Sequence, residues 1–181
     1  HAIYEMCAAM DLPKGLVAVI HGEDEPGRAL SGSDIDGISF TGSVAVGRAI
    51  MTALANGPYP RPVIAEMGGK NPVIVTATAD LDEAADGIIF SAFDLGGQKC
   101  SALSRVLVAA EVHDSLAERV AERAARISLS DPANPDAYAG PLCDREALAR
   151  FQAIEAQARS ERFVVAGGGT AEGDGYFVKP L

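Results

Sequence analysis

Residues 35–66, IDGISFTGSVAVGRAIMTALANGPYPRPVIAE, carry the pattern that decides the fold. Residues 35–40 read as a candidate strand, and Thr41-Gly-Ser43 breaks it. Val46, Ile50 and Leu54 then recur at the helical period, which predicts a helix over residues 44–55. Pro58, Pro60 and Pro62 interrupt the chain before residues 63–65, the next strand candidate. Strand, crossover helix and strand in this order predict parallel pairing with helices on the sheet faces, so the fold class is α/β.

Working outward, residues 1–10 read as a helix, with Ile3, Met6, Cys7 and Met10 at helical spacing, ended by Pro13 and Gly15. Residues 16–20 (LVAVI) are expected as a buried strand, and a brief helix follows around residues 26–31. Downstream, residues 71–75 are a further apolar run. Asp80 is placed to cap a helix, with Glu83 as the reciprocal partner of a capping box. Leu81, Ala84, Ala85, Ile88, Ile89 and Ala92 cover more than one stripe of that helix, so much of it is expected to be buried. Gly96-Gly97 end it before Gln98-Lys-Cys-Ser101, and residues 105–108 read as a strand. Val112, Leu116, Val120, Ala124 and Ile127 mark an amphipathic helix, and Leu148, Phe151 and Ile154 are the expected buried positions of another over residues 144–158. Residues 163–165 are a last strand candidate, and the natural boundary falls near residues 66–71.

The composition of 181 residues, 48% hydrophobic and 22% charged, suits one or two packed units and excludes disordered or fibrous classes. Fifteen basic against 25 acidic side chains leave a net charge of −10, which argues against nucleic acid as a partner. A dinucleotide is not excluded, because a few backbone N–H groups and one helix terminus suffice to hold it. No apolar run approaches a membrane span. Cys7, Cys100 and Cys143 form no disulfide framework, so a reducing, cytoplasmic setting is expected.

Gly42-Ser-Val-Ala-Val-Gly47 follows a strand and opens a helix, leaving orphan N–H groups that suit a phosphate or pyrophosphate. Ser43 adds a hydroxyl, and Gly47 lets the helix pack closely on sheet or ligand. A glycine turn with a serine cap and no ligand explains the same residues. Cys100 lies on a tight turn with small neighbours, Ser101 and Ala102. A cysteine attacks as thiolate, so local N–H groups or a cation must favour ionisation if it is to react quickly near neutral pH. Buried, inert thiols are the default for Cys7 and Cys143. Glu66 ends a strand at the edge where ligands collect in parallel sheets, fit either for a general base or for a structural carboxylate. Asp80, Glu83 and Glu111 read as caps and surface charges. His1, His21 and His113 combine with nothing at metal-ligand spacing, so no metal is expected, and no histidine triad can be drawn.

In this order, Phe40-Thr-Gly-Ser43 with Gly47, Glu66-Met-Gly-Gly-Lys-Asn-Pro72, Gly97-Gln-Lys-Cys-Ser-Ala102 with Arg105, Tyr138-Ala-Gly-Pro141 and Gly175-Tyr-Phe-Val-Lys-Pro180 resemble the aldehyde dehydrogenase superfamily. The resemblance implies a partial Rossmann-type cofactor domain, residues 1–66 forming its second half. Residues 67–181 would form the first part of an α/β catalytic domain. It further implies NAD(P)-dependent oxidation of a small-molecule aldehyde to a carboxylic acid. Cys100 would be the nucleophile and Glu66 the base for thioester hydrolysis. Gly42, Ser43, Gly47 and Gly68 would be the cofactor-binding residues. NAD is the expected cofactor, with NADP open, and a homo-oligomer is expected for the parent enzyme.

The Gln98-Lys-Cys-Ser-Ala102 segment is particularly similar to 1-pyrroline-5-carboxylate dehydrogenases, which implies L-glutamate 5-semialdehyde as substrate in proline degradation. Lys99 and Ser101 would then hold the substrate carboxylate. Family members are much longer, so an internal fragment with little activity by itself is expected. It would lack the upstream asparagine of the oxyanion site and the downstream segment that positions the nicotinamide ribose. A broad-specificity aldehyde dehydrogenase, an acylating relative that passes the thioester to coenzyme A, and a non-catalytic binding or structural module are the alternatives.

Overall fold

In the computed structural model, which describes residues 2–164 and 166–181, the chain divides into two units, His1–Met67 and Gly68–Leu181. Parallel strand pairs joined through a helix recur in both, so the chain is α/β. No helix among the described residues is long and apolar enough to cross a membrane.

The first unit contains α1 (Ala2–Ala8), α2 (Asp24–Gly32), β1 (Ile38–Gly42), α3 (Val44–Ala55) and β2 (Val63–Met67). β1 and β2 pair in parallel from Ile38 opposite Val63 to Gly42 opposite Met67, with α3 as the crossover. The two-residue alternation of the strands turns Ile38, Phe40, Val63, Ala65 and Met67 to the more buried face. α3 packs on that face through Gly47 and the fully buried Leu54. A Cβ on Gly47 would come within 2.6 Å of the Met67 sulfur and 3.4 Å of the Phe40 ring. β1 starts at Ile38, three residues after the predicted start. The preceding carbonyls of Ser33 and Ile35 accept instead from the Arg61 guanidinium, at 2.8 and 3.2 Å.

Residues 16–20, expected as a buried strand, are not one. They are exposed, and no strand among the described residues pairs with them. Apolar composition does not by itself satisfy backbone N–H and C=O groups, and a parallel strand exists only beside a neighbour. The opening helix stops at Ala8, with His1 outside the described residues.

The second unit contains β3 (Asn71–Val75), α4 (Leu81–Phe93), β4 (Leu103–Val108), α5 (His113–Ala124) and α6 (Arg145–Ser160). β3 and β4 are parallel, with a register shift where Asn71 faces Leu103 but Pro72 faces Arg105. Proline brings no N–H to the ladder, which suits such an irregularity. Val75, Ala85, Ile88 and Leu116 form the core, flanked by Leu81, Leu103, Val108 and Val120. Asp80 caps α4 by accepting from the N–H groups of Asp82 and Glu83 at 2.9 and 3.1 Å. Those two N–H groups would otherwise be orphans of the first turn. Asp80→Ala should therefore lower unfolding stability by about 1 kcal/mol, read from the midpoint of urea denaturation at unchanged slope.

Arg123 of α5 reaches back to α4, donating to Asp82 at 2.8 Å and Asp86 at 2.5 Å. These bonds raise the guanidinium pKa above its ordinary value, Asp82 contributing most. The same Arg123 bond, with the Arg119 charge, holds the Asp82 carboxyl below the usual carboxylate range. The clasp therefore keeps its negative side at neutral pH and loses it only on strong acidification. It is exposed, and its stabilisation is correspondingly small.

α6 starts at Asp144, whose carboxylate accepts from the Ala147 N–H at 2.6 Å. That bond is the largest cause of its lowered pKa. Leu148 and Phe151 are half-buried, whereas Ile154, an expected core position, is 63% exposed. Phe163 and Val164 lie outside any strand, and Val165, the end of that expected strand, is outside the described residues. The closing segment is tied down by antiparallel bridges, Leu142 to Tyr176 and Thr170 to Val178, around the buried Phe177. An apolar cavity of about 440 Å³ opens beside the core, lined in part by Ile88, Val106, Leu116, Val120 and Phe163.

Candidate active site

The second unit presents Cys100 on the connection from α4 to β4. After Phe93 the chain turns through Asp94–Gly97, where Leu95, Gly96 and Gly97 take positive φ values of 53°, 65° and 71°. Leucine in this conformation costs roughly 1 kcal/mol, and such strain persists only where surrounding contacts hold it. Those contacts come from two neighbouring side chains. The Gln98 amide donates to the Leu95 carbonyl at 3.2 Å, and its oxygen accepts from the Cys143 N–H at 3.2 Å. The Lys99 ammonium meets Asp94 Oδ2 at 2.9 Å and lies 5.3 Å from the Phe90 ring centroid.

A β-turn follows, closed by the Ala102 N–H donating to the Lys99 carbonyl at 3.2 Å, with Cys100 and Ser101 at its corners. Both corner residues are exposed, so solvent reaches the Cys100 sulfur. Among the described residues the Cys100 N–H finds no acceptor. An exposed thiol beside an N–H group with no acceptor among the described residues has the chemistry that nucleophilic attack on a carbonyl would need. From β3, the Asn71 side-chain amide donates to the carbonyls of Cys100 at 2.9 Å and Ala102 at 3.2 Å. Tyr138 lies near this turn electrostatically. Burial, then the Asp94 charge, raises its phenol pKa, and its buried hydroxyl has no hydrogen-bond partner among the described residues.

Three expectations meet this geometry differently. Ser101 is exposed at the turn, available to a ligand. Lys99 is not, because its ammonium is spent on Asp94, and a substrate carboxylate would have to compete with that partner. Cys143, expected as a buried thiol, is exposed, and only its backbone is engaged with the nucleophile turn. Cys7 is half-buried on α1.

In the first unit, Gly42 and Ser43 sit where β1 passes into α3. Ser43 Oγ accepts from the Val46 N–H at 3.3 Å, which leaves its own hydrogen free to donate outward. Val44 and Ala45 begin the helix with N–H groups that have no acceptor among the described residues. Two amides, a hydroxyl and the positive end of the helix dipole fit one diphosphate. Gly47, expected among the cofactor-binding glycines, serves helix-on-sheet packing against Met67 and Phe40. Glu66 is exposed on the face of the strand pair away from α3, opposite Thr41 in register. Gly68, in the second unit, has open space where a side chain would stand.

Comparison with known proteins bears on both units. The family model described as the aldehyde dehydrogenase family matches residues 1–181. The chain is 38% identical over 147 residues to a 1-pyrroline-5-carboxylate dehydrogenase of Bacillus subtilis, covering 79% of this chain and 28% of that protein. It is 35% identical over 181 residues to the peroxisomal aminoaldehyde dehydrogenase 1 of Pisum sativum, covering 97% of this chain and 36% of that one. Among solved structures, a Thermus 1-pyrroline-5-carboxylate dehydrogenase with bound NAD superposes with a TM-score of 0.92 at 34% identity, covering 99% of this chain and 36% of its own. Proline utilization A of Bradyrhizobium japonicum gives 0.91 at 38%, covering 99% and 18%. The chain spans about a third of the length of the curated relatives it matches.

Proposed function

Because this chain belongs to the aldehyde dehydrogenase family, we propose that the protein carrying it oxidises an aldehyde to a carboxylic acid through a covalent cysteine intermediate. The observation that carries this reading is the exposed Cys100 on a braced turn with its N–H unclaimed. The thiolate adds to the carbonyl carbon, and the oxygen that gains the electron pair accepts from the Cys100 N–H. Bound NAD(P) supplies the hydride acceptor that makes the step an oxidation. What remains on Cys100 is a thioester. Glu66 takes a proton from water as that water attacks the thioester carbon, and the thiolate departs with the bonding pair. Gly42 and Ser43, with the N–H groups of Val44 and Ala45, would hold the cofactor diphosphate, and Gly68 would be a further cofactor-binding residue. The choice between NAD and NADP lies with residues that read the adenosine ribose.

For the substrate we propose L-glutamate 5-semialdehyde, which places the reaction in proline degradation. The support is that several relatives at 34–38% identity are named 1-pyrroline-5-carboxylate dehydrogenase. Ser101 then binds the carboxylate directly, and Lys99 joins it by exchanging Asp94 for the substrate. A second reading, broad specificity toward uncharged aldehydes, is favoured by one observation, the closed Lys99–Asp94 pair. The two separate on kcat/KM measured in the full-length enzyme. The semialdehyde should exceed an uncharged aldehyde of equal length by about 100-fold or more, since a site built for a polar group penalises its absence. Equal values establish the second reading.

A further inference from the structure

We infer that the carboxamide of Asn71 is a positioning group for the nucleophile, acting through the backbone carbonyls of Cys100 and Ala102. The inference rests on the reading of Cys100 as the attacking residue. Asn71 stands at the start of β3, 29 residues before the carbonyl it binds, and its single Nδ2 serves both oxygens at 2.9 and 3.2 Å. An amide nitrogen carries two hydrogens, one for each carbonyl. A carboxylate in its place would repel both oxygens, and an aliphatic side chain would leave both unmet.

The consequence falls on the peptide plane. With the Cys100 carbonyl held by Asn71 and the Lys99 carbonyl held by the Ala102 N–H, the backbone on both sides of Cys100 is fixed. The nucleophile then keeps little freedom beyond its own side-chain rotation, and its N–H keeps a constant direction. Gly69 closes the arrangement. A Cβ there would lie 3.1 Å from Asn71 Oδ1, 3.3 Å from Nδ2 and 3.4 Å from the Cys100 carbonyl oxygen. The register shift immediately after Asn71 takes its side chain out of the regular ladder of the strand pair. Asn71, Gly69 and the turn thus form one contact unit in which displacing any member moves the sulfur.

The test uses the full-length enzyme with the substitutions Asn71→Asp, Asn71→Ala and Gly69→Ala, and Cys100→Ser as reference. Misplacing a reacting group by about an ångström lowers rates on the order of 10²-fold. The Asn71 variants should lose about that much in kcat while KM for the aldehyde moves less than about threefold, because the lost contact holds the reacting atom and not the substrate. Alkylation of Cys100 by iodoacetamide should slow, with its pH midpoint displaced upward most in Asn71→Asp, where a carboxylate stands beside the turn. Gly69→Ala should lose about tenfold in kcat through pressure on the same amide. Asn71 variants that turn over within about twofold of the unaltered enzyme, or that lose only in KM, overturn the inference while leaving Cys100 as nucleophile if Cys100→Ser is dead. Should an Asn71 variant fail to fold, Gly69→Ala decides, and an unchanged kcat there overturns the inference. Full turnover by Cys100→Ser removes the underlying reading itself.

Discussion

Cys100→Ser should abolish turnover, with a loss of at least about 10³-fold in kcat, measured in the full-length enzyme with aldehyde and cofactor saturating. The magnitude follows from the nucleophile. A thiol ionises far more readily than an alcohol and its sulfur is the better nucleophile, whereas a serine hydroxyl attacks only with a base to take its proton. Within the second unit, the side chains bonded to the turn and its flanks among the described residues are Asp94, already paired with Lys99, and the Asn71 and Gln98 amides, none of which is a free base for a serine hydroxyl. Cys143→Ser gives the contrast. Cys143 also has an exposed thiol, yet it touches the turn only through its backbone N–H to Gln98, so the substitution should leave turnover within about twofold. Alkylation with peptide mapping separates the two sulfurs, and activity should follow Cys100 alone. Activity that survives Cys100→Ser would show that Cys100 is not the nucleophile, and a Cys100 inert to the reagent would favour a non-catalytic module.

Glu66→Gln should stop the reaction halfway. Glutamine keeps the size and shape of the side chain but cannot accept a proton from water, so hydrolysis should fall by about 10²–10⁴-fold. Attack by Cys100 and oxidation precede that step and need no base at residue 66. One equivalent of reduced cofactor per site should therefore appear in a burst, followed by a near-stationary signal. Mass spectrometry of the stalled enzyme should find Cys100 carrying the acyl group. Loss of the burst together with the steady rate would assign Glu66 to an earlier step. Glu66 is exposed on β2, on the face away from α3, and no hydrogen bond or ion pair engages its carboxylate among the described residues.

The helices were legible because their signals are local. Ser43, Asp80 and Asp144 each stand one residue before a helix and cap it with their own side-chain oxygen. The period of Val46, Ile50 and Leu54 needs only adjacent turns to be read. Strands depend on a partner, and residues 16–20 show the penalty, since an LVAVI run with no neighbouring strand among the described residues stays irregular and wet. At the site, the residue types of the turn were readable, but their commitments were not. Nothing in the order Gln98-Lys-Cys-Ser101 shows that Lys99 folds back onto Asp94, or that Gln98 spans to Cys143, 45 residues on. Asn71 went unnoticed for the same reason, its donor and acceptor lying 29 residues apart. Gly47 was open between sheet and ligand because a helix has two sides, and the packing against Met67 and Phe40 shows the sheet contact it makes.

The outward faces of the strand pairs have a colloidal consequence. Ile64 in β2 is 65% exposed, and in the second unit Ile74 and Leu107 are 73% and 54% exposed and line an open apolar depression with Val106 and Val108. Each square ångström of such hydrocarbon left in water forgoes about 25 cal/mol, and molecules in crowded suspension recover it by adhering to one another. The 181-residue polypeptide handled by itself should thus have a low ceiling of dispersibility, lowered further by sulfate and raised by dilute urea.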